Sequence, residues 1–347
     1  MKIALDALGG DFGAKPNVLG ALKAAKDLNI HVILVGDEAV IKQELQAQGY
    51  TALPQNISVV HAPDTIDMGA EPAKECRNKK GASIVVCADL VHKGEADAFV
   101  SAGHSGAAMV ASLFRMGRIK GVVRPAIATP MPTYKGVSLL LDGGANADCK
   151  PLHLLQFAVM GSAYMEKVFD LKNPSVRVLS IGEEETKGNF LVKHTIPHMR
   201  EIGVNFQGTL EGRDVNTGDT DVIVCDGFVG NIVLKMAEGL SKTIINMIKR
   251  EVKKRPLAIL GALLAKGAFS AVKKHTNPDQ YGGAPLVGVN GVAIISHGKS
   301  NDVAIFNALK TAKRLVEKNF VGDIAARVAA LKDTFCAIEA EMQEEEK

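Results

Sequence analysis

The stretch SAGHSGA at Ser101–Ala107 places two serine hydroxyls, an imidazole and two glycines between the apolar run Ala98–Val100 and a helix-like stretch, Ala108–Arg115. A helix start offers about four unpaired N–H groups and a partial positive charge, and glycines let the backbone close around a ligand. Anion binding is therefore one reading of this junction. A tight strand-to-helix turn is the other.

Similar turns recur along the chain. LDALGGD from Leu5, LDGGANADCKP from Leu141, IGEEETKGN from Ile181, CDGFVGN from Cys225 and SHGKSN from Ser296 each follow a short apolar run. All carry small residues with an amide, a hydroxyl or a charge, as a site that holds a polyanion through backbone N–H groups requires. Lys187, among Glu183, Glu184 and Glu185, reads either as part of a solvated charge cluster or as an ammonium that balances a phosphate or an oxyanion. Asn231 reads either as a helix cap or as an amide donor to an oxyanion.

Other chemistries find less support. Neither a Walker GxxxxGK[ST] run nor a GxGxxG fingerprint follows the first strand candidate, so no nucleotide cofactor is expected. Gly103–Ala107 misses GxSxG at its last position, which leaves a nucleophilic Ser105 with His275 or His297 as base as a rival reading. His194 and His198 have helical metal-ligand spacing but are interrupted by Pro197, and Cys76, Cys87, Cys149, Cys225 and Cys336 never form a CxxC pair. No metal site is expected, and the cysteines read as reduced thiols in a core.

These turns need strands and helices to carry them. Lys2–Asp6, His31–Gly36 and Ile57–His61 alternate with the helical patterns Asn17–Leu28, Glu38–Gln48 and Glu71–Val91. Further strand candidates are Ala96–Ser101, Pro125–Thr129, Ser138–Asp142, Val176–Gly182, Val204–Gly208, Asp221–Cys225 and Val292–Ser296. Alternation of this kind predicts an α/β fold with an open, mostly parallel sheet and helices on both faces, read as a single catalytic domain over residues 1–347. The carboxyl ends of parallel strands share one edge, so several of the turns should converge there.

At 347 residues, 47% hydrophobic and 23% charged, the chain can bury a large core. The opening residues MKIALDALG carry no leader pattern, and no run of about 18 apolar residues is present, which points to a cytoplasmic chain that does not span a membrane. A net charge of +3 gives no case for nucleic acid, but Lys249–Lys274 holds eight basic residues against Glu251 alone.

That basic patch belongs to an unusual segment, residues 229–281. Val233, Met236, Leu240, Ile244, Met247 or Ile248, and Val252 recur at helical spacing, which predicts a long helix packed on a partner helix. After Arg255-Pro256 comes LAILGALLAKGAFSAVKKH, interrupted by Lys266. A protruding amphipathic hairpin fits: Leu257, Leu260, Leu263 and Leu264 with Lys253, Lys254, Arg255 and Lys266 would meet an anionic membrane or an acidic partner. A second core helix in a homodimer interface is the alternative.

Taken together, MKIALDALGGDFGAKPN, SAGHSGA, RPAIATPMPT, LLLDGGANADCKPLHLLQFAVMGSAY, IGEEETKGN, CDGFVGNIVLKMAEG and YGGAPLVGVNG resemble the bacterial acyl-acyl carrier protein:phosphate acyltransferase (PlsX) family over nearly the whole chain. The resemblance implies a Rossmann-like fold related to isopropylmalate dehydrogenases and phosphotransacetylases, no cofactor, a homodimer and peripheral association with the membrane. It implies transfer of a long-chain acyl group from acyl-acyl carrier protein to inorganic phosphate, with the acyl phosphate passing to a downstream membrane glycerol-3-phosphate acyltransferase in phospholipid synthesis. Matching positions carry the family's phosphate and substrate site: Asp6, Gly9, Gly10 and Asp11; Ser101, Gly103, His104, Ser105 and Gly106; Asp142, Gly143 and Asn146; Asn189; Asp226, Gly227 and Gly230. Lys187 and Asn231 are assigned to the reacting carbonyl.

Three positions depart from the family pattern. Leu8 and Phe12 stand where the family often has methionine and histidine, so the first loop is given no acid-base role, and His104 stands where it often has asparagine. The expected mechanism is direct attack of phosphate on the thioester, with Ser101–Gly106 holding phosphate by amides and hydroxyls. A serine acyl hydrolase and a non-catalytic anion-binding adaptor are the competing functions.

Overall fold

The computed structural model describes residues 1–67, 69–275 and 278–345. Its strands divide between two sheets. The first is ordered β3 (Ile57–His61), β2 (His31–Gly36), β1 (Lys2–Asp6), β4 (Ala98–Ser101), β12 (Val292–Ile295), β11 (Ala284–Val287), β5 (Ala126–Ile127). The second is ordered β6 (Thr129–Thr133), β7 (Gly136–Leu141), β10 (Val222–Val224), β8 (Ser175–Ser180), β9 (Asn205–Glu211). Both are mainly parallel, with β11 and β6 as the reversed strands. The central strands are short apolar runs buried on both faces, as parallel strands covered by helices must be.

The helices are α1 (Ala14–Asp27), α2 (Glu38–Ala47), α3 (Pro72–Asn78), α4 (Ser83–His92), α5 (Ser105–Arg115), α6 (Pro151–Phe169), α7 (Phe190–Thr195), α8 (Gly227–Lys253), α9 (Pro256–Leu264), α10 (Lys266–His275), α11 (Asp302–Glu317), α12 (Phe320–Ala330) and α13 (Lys332–Glu345). α6 is buried along almost its whole length and packs on β7 and β10 as well as on α11 and α12. One apolar core therefore runs from Ile3 and Leu5 through Phe157 and Tyr164 to Leu141 and Val224.

The helical pattern over Glu71–Val91 is in fact two helices. The amide of Ala82 closes a turn onto Lys79, and the amide of Ser83 donates to Asp64. This break makes Ser83 the first residue of a new helix, with consequences for the site.

The carboxyl edges of the two sheets meet. β5 runs antiparallel to β11, β11 antiparallel to β12, and β12 parallel to β4, so β5 points the same way as β1 and β4. Only Ala128 separates β5 from β6, where the chain crosses into the second sheet. β7 pairs antiparallel with β6, bringing Asp142 back to the end of β5: the Ile127 amide donates to Asp142 Oδ1 at 3.0 Å. β10 and β8 run parallel to β7, so their following turns, with Asn231 and Lys187, lie on this edge too.

The hairpin stands away from this body. Every residue of α8 from Ser241 to Arg250 is exposed, as are most of α9 and α10. The apolar segment after Pro256 is two helices, broken at Ala265, and the side chains of Lys273 and Lys274 lie outside the described residues. No described helix is long and apolar enough to cross a membrane.

Candidate active site

At the end of β1 the chain turns through Gly9 and Gly10, and Asn17, buried in α1, ties the turn down by donating to the carbonyls of Ala7, Gly9 and Gly13 at 3.0, 2.9 and 3.2 Å. Asp6 sits below it, 2% exposed. Its Oδ1 receives Ser83 Oγ at 2.6 Å and the Gly9 amide at 3.1 Å, and its Oδ2 receives Ser101 Oγ at 2.7 Å. Burial pushes this carboxyl above the ordinary carboxylate range, and the hydroxyl and amide donors oppose the shift. Gly9 is required here, since a β-carbon would lie 2.6 Å from Asp6 Oδ2 and 2.8 Å from the Gly103 amide nitrogen. The Asp11 amide donates to Gly298, joining the SHGKSN turn to this group.

The Ser101–Gly106 turn differs from its sequence reading. The Gly103 amide donates to Ser101 Oγ at 3.0 Å, and His104 Nδ1 caps α5 by accepting the amides of Gly106 and Ala107 at 3.0 and 3.3 Å. Several donors expected to hold phosphate are thus engaged within the protein. A cavity of about 170 Å³ opens here, lined by Leu8–Gly10, Thr65–Asp67, Gly103 and His104 above Asp6 and Ser83. Neither Lys187 nor Asn231 lines it.

A second group forms where β7 and β10 end. Asp142, fully buried, accepts from the amides of Ile127, Gly144, Ala145 and Asn146 and from Asn146 Nδ2, at 2.7–3.1 Å. Burial again raises the carboxyl against these donors. The Gly143 amide donates to Ile127, the Gly227 amide to Asn146, and Asp226 caps α8 through the Val229 amide at 2.9 Å. Asn231, exposed in the first turns of α8, lies against Gly144. Strand order separates Ser101 from Ile127 by three strand spacings, on the order of 14 Å, so the sequence-derived turns form two groups along one edge rather than one pocket.

Lys187, in the turn after β8, pairs with Glu184 at 2.8 Å with both side chains largely exposed. The Glu184 carboxylate raises the lysine, which stays an ammonium. Asn189 caps α7 through the Val192 amide at 3.0 Å. The rivals for catalysis fare poorly: His275 Nε2 lies 2.7 Å from the Thr133 carbonyl, and His297 Nδ1 accepts the Lys299 amide at 3.1 Å, so neither is bonded to Ser105. Burial pushes the Cys149 thiol up to about 12, and burial puts Cys225 well above its ordinary value. Cys336 is exposed, unlike the core thiols expected. His194 stacks on Phe190 and His198 faces Glu201, and among the described residues no three metal-ligating side chains gather.

Ser83, Thr65, Ile66 and Asp67 were not legible as site residues. The one signal was Gly81-Ala82-Ser83, a turn-forming glycine and a serine helix start inside an otherwise periodic segment.

The profile of the fatty acid synthesis protein family matches residues 1–322. The phosphate acyltransferase of Elusimicrobium minutum is 61% identical over 340 residues, covering 98% of this chain and 99% of that protein. The chain belongs to the fatty acid synthesis protein (PlsX) family. A second member, the phosphate acyltransferase of Pelotomaculum thermopropionicum, is 48% identical and covers 96% of both chains. The family fold is that of the EutD phosphotransacetylase from Staphylococcus aureus (TM-score 0.58, 18% identity, 91% of this chain and 94% of that one). A 4-hydroxythreonine-4-phosphate dehydrogenase from Klebsiella pneumoniae shares it at lower similarity (TM-score 0.52, 13% identity, 91% and 99%). As a member of this family the chain is an acyltransferase.

Proposed function

We propose that the protein transfers a long-chain acyl group from acyl-acyl carrier protein to inorganic phosphate, giving acyl phosphate and free carrier protein. The observation that carries this reading is the 61% identity, over 98% of the chain, to a protein named phosphate acyltransferase. Hydrogen phosphate is already an oxygen nucleophile and a thioester is already activated, so the enzyme needs no nucleophile of its own. A phosphate oxygen adds to the carbonyl carbon, the tetrahedral oxyanion collapses, the C–S bond breaks, and the hydrogen phosphate proton leaves with the thiolate. Burial holds the Cys149 and Cys225 thiols above their ordinary range, and neither His275 nor His297 is bonded to Ser105, which supports direct attack.

The protein's part is to align the two partners and stabilise the oxyanion. Lys187, a lasting cation on an exposed and adaptable side chain, exchanges Glu184 for the developing charge, and the Asn231 amide donates beside it. Thiol release from palmitoyl-acyl carrier protein, followed with and without phosphate, tests the reading. Release that requires phosphate supports it. Release without phosphate identifies a hydrolase, and no release leaves an anion-binding adaptor.

The hairpin supplies the protein's attachments. The exposed apolar face of α8, including Met236, Leu240, Ile244 and Ile248, packs against a second copy in a homodimer. At the tip, Leu257 and Leu264 are 85% and 83% exposed and Leu260 and Leu263 more than half so, close to Lys253, Lys254, Arg255 and Lys266. That combination suits a peripheral contact with an anionic membrane on the cytoplasmic side, where the insoluble product is handed to a membrane acyltransferase. The same basic residues suit the acidic carrier protein.

A further inference from the structure

A long helix carries a partial positive charge at its start, and sequences usually answer it with an acid or a capping side chain. α6 has neither: its N-cap is Lys150, no side chain caps it, and its first turn holds no acidic residue. Pro151 has no N–H, and the His153 amide turns back to the Lys150 carbonyl at 2.9 Å. The Leu152 amide is left without an acceptor among the described residues.

A second cation is strapped against this end. Between Asp97 and Asp142 the chain carries no acidic residue, and residues 121–125 lie along the first turns of α6. The Val123 amide donates to Gln156 Oε1 at 2.8 Å, Gln156 Nε2 to the Gly121 carbonyl at 2.9 Å, and Asn146 Nδ2 to the Pro125 carbonyl at 2.7 Å. Arg124 stands exposed between these anchors, and among the described residues neither it nor Lys150 forms an ion pair. The carboxylates nearby are committed elsewhere: Asp142 to the amides of its own turn and Asp226 to the cap of α8. Asp148, exposed just before the cap, pairs with neither cation.

His153 adds an observation that points to a ligand. It is only 7% exposed, and its Nδ1 accepts the Lys150 amide at 3.1 Å, so the ring folds back over the helix start and carries its hydrogen on Nε2. That N–H has no partner among the described residues, yet it is not sealed into the core. Burial, then the charges of Arg124 and Lys150, lowers the pKa of the ring, so both cations act at the same end of the helix. Two cations and two free N–H donors without an acceptor match a tetrahedral anion whose oxygens are all acceptors.

We propose that the amino terminus of α6, with Arg124, Lys150, the Leu152 amide and His153 Nε2, is a binding site for a phosphate group. The proposal rests on the acyl-transfer reading above for the source of that group: inorganic phosphate as co-substrate, or the phosphate at the base of the donor's pantetheine arm. α6 begins just after the turn that holds Asp142 and Asn146, and Gly144 of that turn lies against Asn231. A phosphate held here therefore stands on the edge that carries the proposed oxyanion donors.

Calorimetric titration of the purified protein with inorganic phosphate, phosphopantetheine and pantetheine tests the site without turnover. Arg124→Gln and Lys150→Gln should each weaken binding of inorganic phosphate roughly tenfold, the loss of about one charge-assisted contact, with thermal unfolding showing that both variants are folded. In turnover with octanoyl-pantetheine, whose only phosphate is the co-substrate, the KM for phosphate should rise by a similar factor. Weakening confined to phosphopantetheine, with pantetheine unaffected, supports the site and assigns it to the donor's phosphate. A wild type that binds neither phosphate compound, or variants that bind both as the wild type does, would overturn the proposal. So would a loss seen only with intact acyl-acyl carrier protein, which would make the two cations a docking contact for an acidic protein. A wild type that binds phosphate through Arg124 yet forms no octanoyl phosphate would instead overturn the acyl-transfer reading and leave the phosphate site standing.

Discussion

Gly230, in the first turn of α8, is packed so closely on the backbone carbonyl of Asp142 that a β-carbon on it would overlap that oxygen. The contact locks the turn after β7 to the helix that carries Asn231, and only glycine permits it. Gly230→Ala must push α8 away from Asp142, a strain that typically costs about 1–3 kcal/mol. The expected outcome is a folded protein with a lowered melting temperature and at least a tenfold loss of kcat; wild-type kcat in a folded Gly230→Ala variant would separate this packing from the site.

Lys187 is expected to act in the transition state. Loss of one oxyanion donor typically raises the barrier by about 2.7–4 kcal/mol. Lys187→Ala should therefore lower kcat roughly a hundred- to a thousandfold while its unfolding midpoint stays close to wild type, because the side chain is exposed and its ion pair with Glu184 lies at the surface. Steady-state rates that match wild type would remove Lys187 from the mechanism.

His104 caps α5 through Nδ1, a task that asparagine performs equally well. His104→Ala should lose about 1 kcal/mol of stability and His104→Asn only a few tenths, measured by denaturant unfolding. Equal losses in both variants would show that the cap is not what His104 contributes.

His153 is expected to make the fold acid-sensitive. Burial, followed by the charges of Arg124 and Lys150, lowers its pKa from 6.5 to about 4, and its Nδ1 accepts the Lys150 amide at 3.1 Å. The unfolded chain binds a proton near pH 6.5 that the folded chain refuses until about pH 4. The stability linked to this histidine is therefore complete above pH 6.5 and falls as pH drops towards 4, by up to about 3 kcal/mol at 1.4 kcal/mol per unit. His153→Gln, which keeps an acceptor without the titration, should flatten the melting temperature across this window, and an unchanged slope would assign the acid sensitivity to other groups.

The hairpin tip makes a membrane prediction. Leu260→Glu with Leu264→Glu replaces exposed apolar groups by charges that anionic lipid repels, so sedimentation with phosphatidylglycerol vesicles should drop several-fold while turnover of soluble substrates persists. Equal sedimentation would take the tip off the membrane.

Much of this architecture was legible because a buried parallel strand is a short apolar run and its carboxyl end must turn. The runs ending at Asp6, Ser101, Asp142 and Cys225 all declared themselves in this way. The division into two sheets was not legible, since the strand candidate Pro125–Thr129 ends where β6 begins, only Ala128 separates β5 from β6, and no local pattern tells that β11 and β12 return from the end of the chain to lie beside β4. In the site, the glycine turns were visible, but the partners of their donors were not. Whether the Gly106 amide faces a ligand or His104 Nδ1 is decided by a side-chain rotamer, and Ser83 meets Asp6 across 77 residues of chain.

The most direct measurement incubates the purified protein with palmitoyl-acyl carrier protein and ³²P-labelled phosphate and follows label into hydroxylamine-sensitive palmitoyl phosphate. The account predicts one labelled acyl phosphate for every carrier thiol released. Thiol release accompanied by free palmitate and no labelled product would contradict it.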